Sequence, residues 1–200
     1  MIKRFLEILF SLLSLIILSP LFLIIAFLIK IDSKGGAFYI QKRVGKNNKD
    51  FNLIKFRTMF VKSDRQGLLT VGEKDNRITG IGKGLRKHKI DELPQLINIL
   101  KGEMSFVGPR PEVRKYVELY DDRQKQVLSV KSGLTDYASL EYVNENKILA
   151  GFSDPEKAYV EQIMPAKLEL NLQYIKEQGL LADLKIIIKT LDFLVNPKFL

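Results

Sequence analysis

The sequence predicts a mixed α/β domain, mostly helical with a short β element, carried on an N-terminal apolar membrane segment. Three observations support this. Residues 8–29 contain no charged side chain. Residues 37–41 and 51–56 are β-branched and aromatic runs separated by a polar, lysine- and asparagine-rich turn, the pattern of a hairpin or two neighbouring strands. Helix-start signals and helical spacing dominate the remainder, most clearly at Asp154-Pro155-Glu156, an N-cap acid followed by proline at N1 and an acid in the first turn.

The apolar run comes first in the chain. At about 1.5 Å per residue it is long enough to cross a ~30 Å hydrocarbon core as a helix. No small-residue cleavage site follows it, so a membrane helix is the better reading than a signal peptide. Lys3 and Arg4 precede the run and Lys30 and Lys34 follow it. Loop charge therefore sets no orientation, as expected if both ends face the cytoplasm. Pro20 removes a backbone donor and leaves the Ile16 carbonyl without its helical partner, a deficit that the Ser19 hydroxyl is placed to relieve. From the residues alone, a straight or kinked span ranks ahead of a re-entrant hairpin. The expected division is a membrane element over residues 1–34 and a cytoplasmic domain over residues 35–200.

Residues 62–84 are polar and glycine-bearing and read as a long loop. Residues 85–100 read as helical, with Pro94 in a first turn, so that a helix begins near Asp91-Glu92. Helices are expected over 112–120, 122–130, 155–163, 166–178 (ending on Gly179) and 181–194. In the last, Leu184, Ile187, Ile188, Leu191 and Leu194 share one face. Packing of that face into the core ranks ahead of contact with a membrane surface.

Composition narrows the chemistry. The formal net charge is +9, which suits nucleic acid, anionic lipid or a phosphorylated small molecule. Nucleic acid fits least, because tryptophan is absent and no helix-turn-helix, zinc-finger or RNP-like pattern organises the charge. The chain has no cysteine and one histidine, His88, set in a basic run. Disulfides, thiolate sites and a multi-histidine zinc site are thereby excluded, and any metal is a hard cation on oxygen ligands, Mg²⁺ first.

Two constellations bear on chemistry. Asp91-Glu92 is, as a bare dipeptide, an ordinary solvated helix start. As a working pair, one acid attacks phosphorus and its neighbour holds Mg²⁺, with Arg57, Arg77, Arg86 and Arg110 as candidate cations for substrate phosphates. Gly108-Pro109-Arg110-Pro111 is either a rigid turn or a fixed arginine fork for phosphate. The glycine-rich stretch at residues 80–84 lacks the spacing of a phosphate-binding loop.

In order and spacing, Asp91-Glu92-Leu93-Pro94-Gln95-Leu96, Asn98, Leu100-Lys101-Gly102, Met104-Ser105 and Val107-Gly108-Pro109-Arg110-Pro111 resemble the signature of the small monotopic phosphoglycosyl transferases of the bacterial sugar transferase family. Residues 41–45, 55–59 and 77–82 resemble its upstream motifs, and Ser19-Pro20 its helix-breaking pair. The resemblance covers about residues 3–145. It implies transfer of a sugar-1-phosphate from a UDP-sugar to a polyprenol (undecaprenyl) phosphate, with release of UMP, at the start of bacterial glycoconjugate assembly. It implies Asp91 as the nucleophile of a covalent phosphosugar intermediate, Glu92 as a Mg²⁺ ligand, and Pro109, Arg110 and Pro111 in the nucleotide-sugar site. It also implies a re-entrant membrane helix broken at Ser19-Pro20, which reverses the ranking above. The protein would then be monotopic on the cytoplasmic face of the inner membrane, in contact with membrane lipid.

The chain departs from the family pattern at Ser132, where many members carry proline, and over residues 135–143, T-D-Y-A-S-L-E-Y-V. The sugar transferred and the glycan pathway stay open, as does a homo-oligomer. Two other readings stay open with them: a non-catalytic membrane-bound module for acidic ligands, and a membrane-attached phosphatase or nucleotidase.

Overall fold

The computed structural model describes residues 2–63, 67, 69–72 and 75–195, with side chains through 193. Helix α1, Ile2–Asp32, is followed by strands β1, Phe38–Val44, and β2, Asp50–Phe56, then helix α2, Gly80–Lys87. A short 3-10 turn, Ile90–Glu92, leads to α3, Gln95–Lys101, and strand β3, Met104–Val107. After α4, Arg114–Val117, and the 3-10 segment Gln124–Ser129 comes β4, Ser132–Thr135. The remainder is helical: α5, Tyr137–Glu141; α6, Glu145–Ala150; α7, Pro155–Ala158; a π-turn, Tyr159–Ile163; α8, Met164–Glu177; and α9, Leu180–Val195. The expected mostly helical α/β class is the one observed.

Near its start, helix α1 carries a polar stripe at Arg4, Glu7 and Ser11, whose spacing of three and four residues puts them on one face. That stripe meets the rest of the protein. Arg4 donates to the carbonyls of Ile99 and Leu100 at 2.7 and 2.8 Å, closing the carboxyl end of α3. Ser105 donates to the buried Glu7 carboxylate at 2.6 Å. At the other end, Ile25 and Ile29 pack on Phe56 and Leu85, and Asp32 accepts from the backbone N–H of Ile81 at 3.0 Å. Both ends of α1 therefore dock on the same folded body. Its outer face is bare: Ile17, Leu23 and Phe27 are 74%, 73% and 64% exposed. Among the described residues it is one helix long and apolar enough to cross a membrane.

The assigned helix runs through Ser19-Pro20 without interruption. The reason is local: Ser19 Oγ donates to the Ile16 carbonyl at 2.8 Å, so the acceptor that proline orphans is satisfied and the helix persists. The expected break is thus a missing backbone bond inside a continuous helix.

The hairpin is as the sequence suggests, β1 antiparallel to β2 with Phe38 opposite Phe56 and Val44 opposite Asp50. Asn47 and Asn48 take left-handed conformations in its turn, which asparagine tolerates better than most residues. The parallel pair β3–β4 is not anticipated. Here the backbones of Gly108 and Gly133 cross so closely that a Cβ on Gly133 would lie 2.1 Å from Gly108 N. Only glycine at both positions permits the crossing.

The expected single helix over 85–100 is two helices joined by the 3-10 turn. The first begins at Gly80, inside the glycine-rich stretch and the expected long loop. Thr79 caps it by accepting from Gly82 N at 3.1 Å, and Gly82 is needed because any Cβ there would strike the Thr58 carbonyl. The Asp154 cap is observed, accepting from Lys157 N at 3.0 Å.

The reading of α9 is corrected. Leu184, Ile188 and Leu191 are exposed, while Asp183 and Ile186 are buried, with Ile187 and Thr190 beside them. The Leu194 side chain lies outside the described residues. What turns the helix is Asp183, which accepts from Tyr174 Oη at 2.7 Å and pairs with Lys3 of α1 at 2.7 Å. A buried, twice-bonded carboxylate fixes the opposite face inward.

Candidate functional site

Asp91 and Glu92 sit on the 3-10 turn between α2 and α3, both buried. Lys89 enters the turn in a left-handed conformation, φ 56°, and Pro94 begins the following helix, so the acids stand at a helix start as expected. Burial of two adjacent carboxylates demands compensation, and only one of the pair receives it directly. Glu92 takes a two-pronged guanidinium from Arg110, with Nη1 at 3.0 Å and Nη2 closer still, and accepts from Lys55 Nζ at 3.0 Å. Among the described residues no donor bonds the Asp91 carboxylate.

The two acids are driven apart in proton affinity. Burial raises Asp91 above the ordinary carboxylate range and the Glu92 charge adds to this, against Lys55, Arg86 and Lys89. Burial also acts to raise Glu92, but Arg110 and Lys55 overcome it and hold Glu92 well below that range. Burial lowers Lys55, with Glu92 opposing. Glu92 is therefore an anion that organises cations, and Asp91 a carboxylate that its surroundings leave weakly solvated.

Arg110 is positioned from both sides. Its backbone N–H donates to Asp136 at 3.1 Å, and the fully buried Asp136 also caps α5 through Ser139 N at 2.6 Å. Pro109 accepts from Gly133 N at 3.0 Å, tying the loop to the glycine crossing. Pro111 accepts from Arg43 at 3.1 Å; Arg43 also pairs with Glu112 at 2.8 Å and is held by Gln41.

Lys55, Arg57, Arg77, Arg86, Asp91, Glu92 and Arg110 all line one cavity of about 1000 Å³. They are not equivalent. Arg57 donates to Gly36 O, Ser33 Oγ and Ser33 O at 2.6, 2.5 and 2.9 Å, clamping the end of α1. Arg77 is bound to Asp75 and to the carbonyls of Gly67 and Leu69. Arg86 bonds Thr70 Oγ1 at 2.8 Å, and its charge acts on Asp91. Arg110 and Lys55 thus bond the carboxylate pair directly, Arg86 and Lys89 act on it through their charge, and Arg57 and Arg77 hold the walls. Pro109 lines neither this cavity nor a smaller one of about 180 Å³ beside it, which Pro111, Arg43 and Tyr159 help to line.

Sequence reasoning singled out neither Lys55 nor Asp136. Lys55 is a strand residue whose partner lies 37 positions away, and Asp136 falls in the segment that departs from the family pattern. Two bonds from one aspartate, one to a loop and one to a helix, leave no local signature beyond an N-cap.

No group of three or more His, Asp and Glu suited to a metal lies among the described residues. The donor set is two adjacent carboxylates, one already neutralised. That fits Mg²⁺ in the mode where one or two carboxylates hold it and water and substrate phosphates complete the shell.

A family model described as bacterial sugar transferase matches residues 1–197. The chain belongs to that family. It is 37% identical over 194 residues to a UDP-N-acetylgalactosamine-undecaprenyl-phosphate N-acetylgalactosaminephosphotransferase of Aeromonas hydrophila, covering 95% of this chain and 43% of that protein. It is 36% identical to the exopolysaccharide production protein ExoY of Sinorhizobium fredii, over 94% and 83% of the two chains. It is 32% identical to a UDP-glucose:undecaprenyl-phosphate glucose-1-phosphate transferase of Caulobacter vibrioides, over 97% and 70%. This sugar transferase thus spans less than half of the first relative and most of the other two. In this member of the family, the signature segment is the stretch that carries the buried acids, the fixed arginine and the glycine crossing.

Proposed function

We propose that this sugar transferase moves a sugar-1-phosphate from a UDP-sugar to polyprenol (undecaprenyl) phosphate, giving polyprenyl-diphosphate-sugar and UMP. The observation that carries the reading is the asymmetry of the acid pair: Asp91 in a large cavity with no bonded donor among the described residues, Glu92 neutralised by Arg110 and Lys55. The names of the relatives supply the substrate classes.

In this mechanism an Asp91 oxygen attacks the sugar-bearing phosphorus of the donor. A P–O bond forms to Asp91 as the P–O bond to the UMP oxygen breaks, and UMP leaves with the electron pair. An oxygen of the acceptor phosphate then attacks the same phosphorus, and Asp91 departs as carboxylate. Desolvation keeps Asp91 reactive, while Arg110, Lys55 and Arg86 stabilise charge on the phosphoryl oxygens. Glu92 would help to hold Mg²⁺, which when bound neutralises charge on the diphosphate. One site visited in turn by a soluble donor and a lipid acceptor gives ping-pong order.

Basic residues at both ends of the apolar run and the backbone bond lost at Pro20 support a re-entrant helix over a span. On this reading residues 1–34 dip into the cytoplasmic leaflet of the inner membrane, residues 35–200 form the catalytic domain beneath, and the product enters bacterial glycoconjugate assembly. The test is UMP release by purified protein in nanodiscs, offered UDP-sugars, Mg²⁺ and polyprenol phosphate. UMP from one donor, sustained only with the acceptor, is expected; free sugar phosphate without acceptor would instead make this a hydrolase.

A further inference from the structure

The cavity that holds Asp91 does not end at its charges. It is also walled by Leu18 of α1, Phe106 of β3, Leu134 of β4, and Ile187, Leu191 and Phe193 of α9. Phe106 joins the two walls, packing in the cluster that includes Leu15 and Leu18 and also in the one that includes Ile186 and Ile187. The cavity that holds the acid pair thus has an apolar arm, whose walls come from α1, β3, β4 and α9. Beyond it both helices are bare, with Ile17 74% exposed on α1, and Ile188 and Leu191 57% and 55% exposed on α9. A polar sugar nucleotide has no use for such an arm. Its chemistry suits a hydrocarbon chain entering from lipid with a phosphate at its head.

We infer that α9 and α1 together form the acceptor subsite, in which the isoprenoid chain lies against Leu18, Phe106, Ile187 and Leu191 with its phosphate at Asp91. This rests on the phosphoglycosyl reading above and extends it to a helix outside the signature segment. It accounts for three features at once. Asp183 turns the apolar stripe of α9 outward rather than into the core. The Lys3–Asp183 pair at 2.7 Å holds α9 to the membrane helix. Thr190 reaches back to Thr135 at 2.8 Å, fixing the wall to β4 beside the glycine crossing. The acceptor then approaches from the membrane side and the donor from the cationic side, and each meets the same carboxylate.

The two half-reactions separate this from the function itself. Exchange of labelled UMP into UDP-sugar reads the donor half, and polyprenyl-diphosphate-sugar formation reads the whole. Leu191→Glu puts a charge in the arm at an exposed position that tolerates it. The expected result is a fall of about tenfold or more in acceptor turnover relative to exchange, the effect of losing one buried leucine contact. Leu181→Glu, 84% exposed on the same helix but away from the cavity, serves as the control for simple membrane contact. It should leave that ratio unchanged. An equal loss in both half-reactions for Leu191→Glu, or the same fall in the ratio for Leu181→Glu, overturns the subsite. Absence of UMP exchange in the unsubstituted protein overturns the phosphoglycosyl reading, and the subsite with it.

Discussion

The Arg110 guanidinium grips both carboxylate oxygens of Glu92, with Nη1 at 3.0 Å, although the two residues lie 18 positions apart. Lys55 bonds the same carboxylate at 3.0 Å. Two cations on one acid leave a net positive cluster around the second acid, Asp91. Arg110→Lys keeps the charge and loses the fork. Its expected effect is a fall of roughly tenfold to a hundredfold in kcat/KM, because a point charge does not reproduce bidentate geometry. Steady-state kinetics beside thermal denaturation would show whether the loss is in the reaction or in folding.

The raised proton affinity of Asp91 sets a pH dependence. As the nucleophile it must be ionised, so the rate falls as pH drops through a value above the ordinary carboxylate range. Glu92, held low, stays charged throughout that window. A single acidic limb in kcat/KM, set by the protonation of one group, is the expected profile. A limb below the usual aspartate value would mean that Asp91 is not the titrating group.

The same shifts predict opposite effects on stability. Ionising a group whose folded pKa is raised weakens the folded state as pH rises through that value, so Asp91→Asn should stabilise the protein at neutral pH. The expected sign is a rise in Tm. Glu92, whose folded pKa is depressed, contributes stability above its unfolded pKa that is lost as pH falls through the folded value. Glu92→Gln should therefore lower Tm at neutral pH, since it leaves Arg110 and Lys55 without their counter-ion. Differential scanning fluorimetry of the two variants checks both signs.

Arg57 was a candidate for substrate phosphate on sequence grounds, and it does line the cavity. Its donors, however, go to Ser33 and Gly36 at the end of α1. Arg57→Lys should lower thermal stability by about 1–3 kcal/mol through lost buried bonds, with KM for the UDP-sugar unchanged in the protein that remains folded. A raised KM would return Arg57 to the donor site.

The glycine crossing offers a test of the frame itself. Gly133→Ala places a Cβ 2.1 Å from Gly108 N, backbone against backbone. A loss of about 3 kcal/mol or more is expected, because neither strand can yield without moving the Pro109–Pro111 loop. Denaturant unfolding measures it.

The hairpin, the Asp154 cap and the acid pair at a helix start were legible because each is a local signal, carried by a few adjacent residues. The acid–arginine pairing was legible only as two separate motifs; nothing local says that Arg110 turns toward Glu92. Strands β3 and β4 were hidden because each is four residues long and paired across 28 positions of chain. The Gly80 helix start was hidden because glycine usually marks loops, and here close approach to Thr58 requires it. Periodicity found the apolar stripe of α9, but could not say whether that stripe faces the core or the outside. Asp183 decides that, through partners in α1 and α8.

The central claim is that Asp91 becomes covalently attached to the sugar phosphate. The most direct measurement is intact-mass and peptide mass spectrometry of the protein incubated with its UDP-sugar and Mg²⁺, without acceptor, and quenched in acid. The account predicts a mass increase of one sugar phosphate on the peptide containing Asp91, discharged by polyprenol phosphate and missing in Asp91→Asn. Acceptor-dependent product formation with no adduct on that peptide, or turnover by Asp91→Asn, would contradict it.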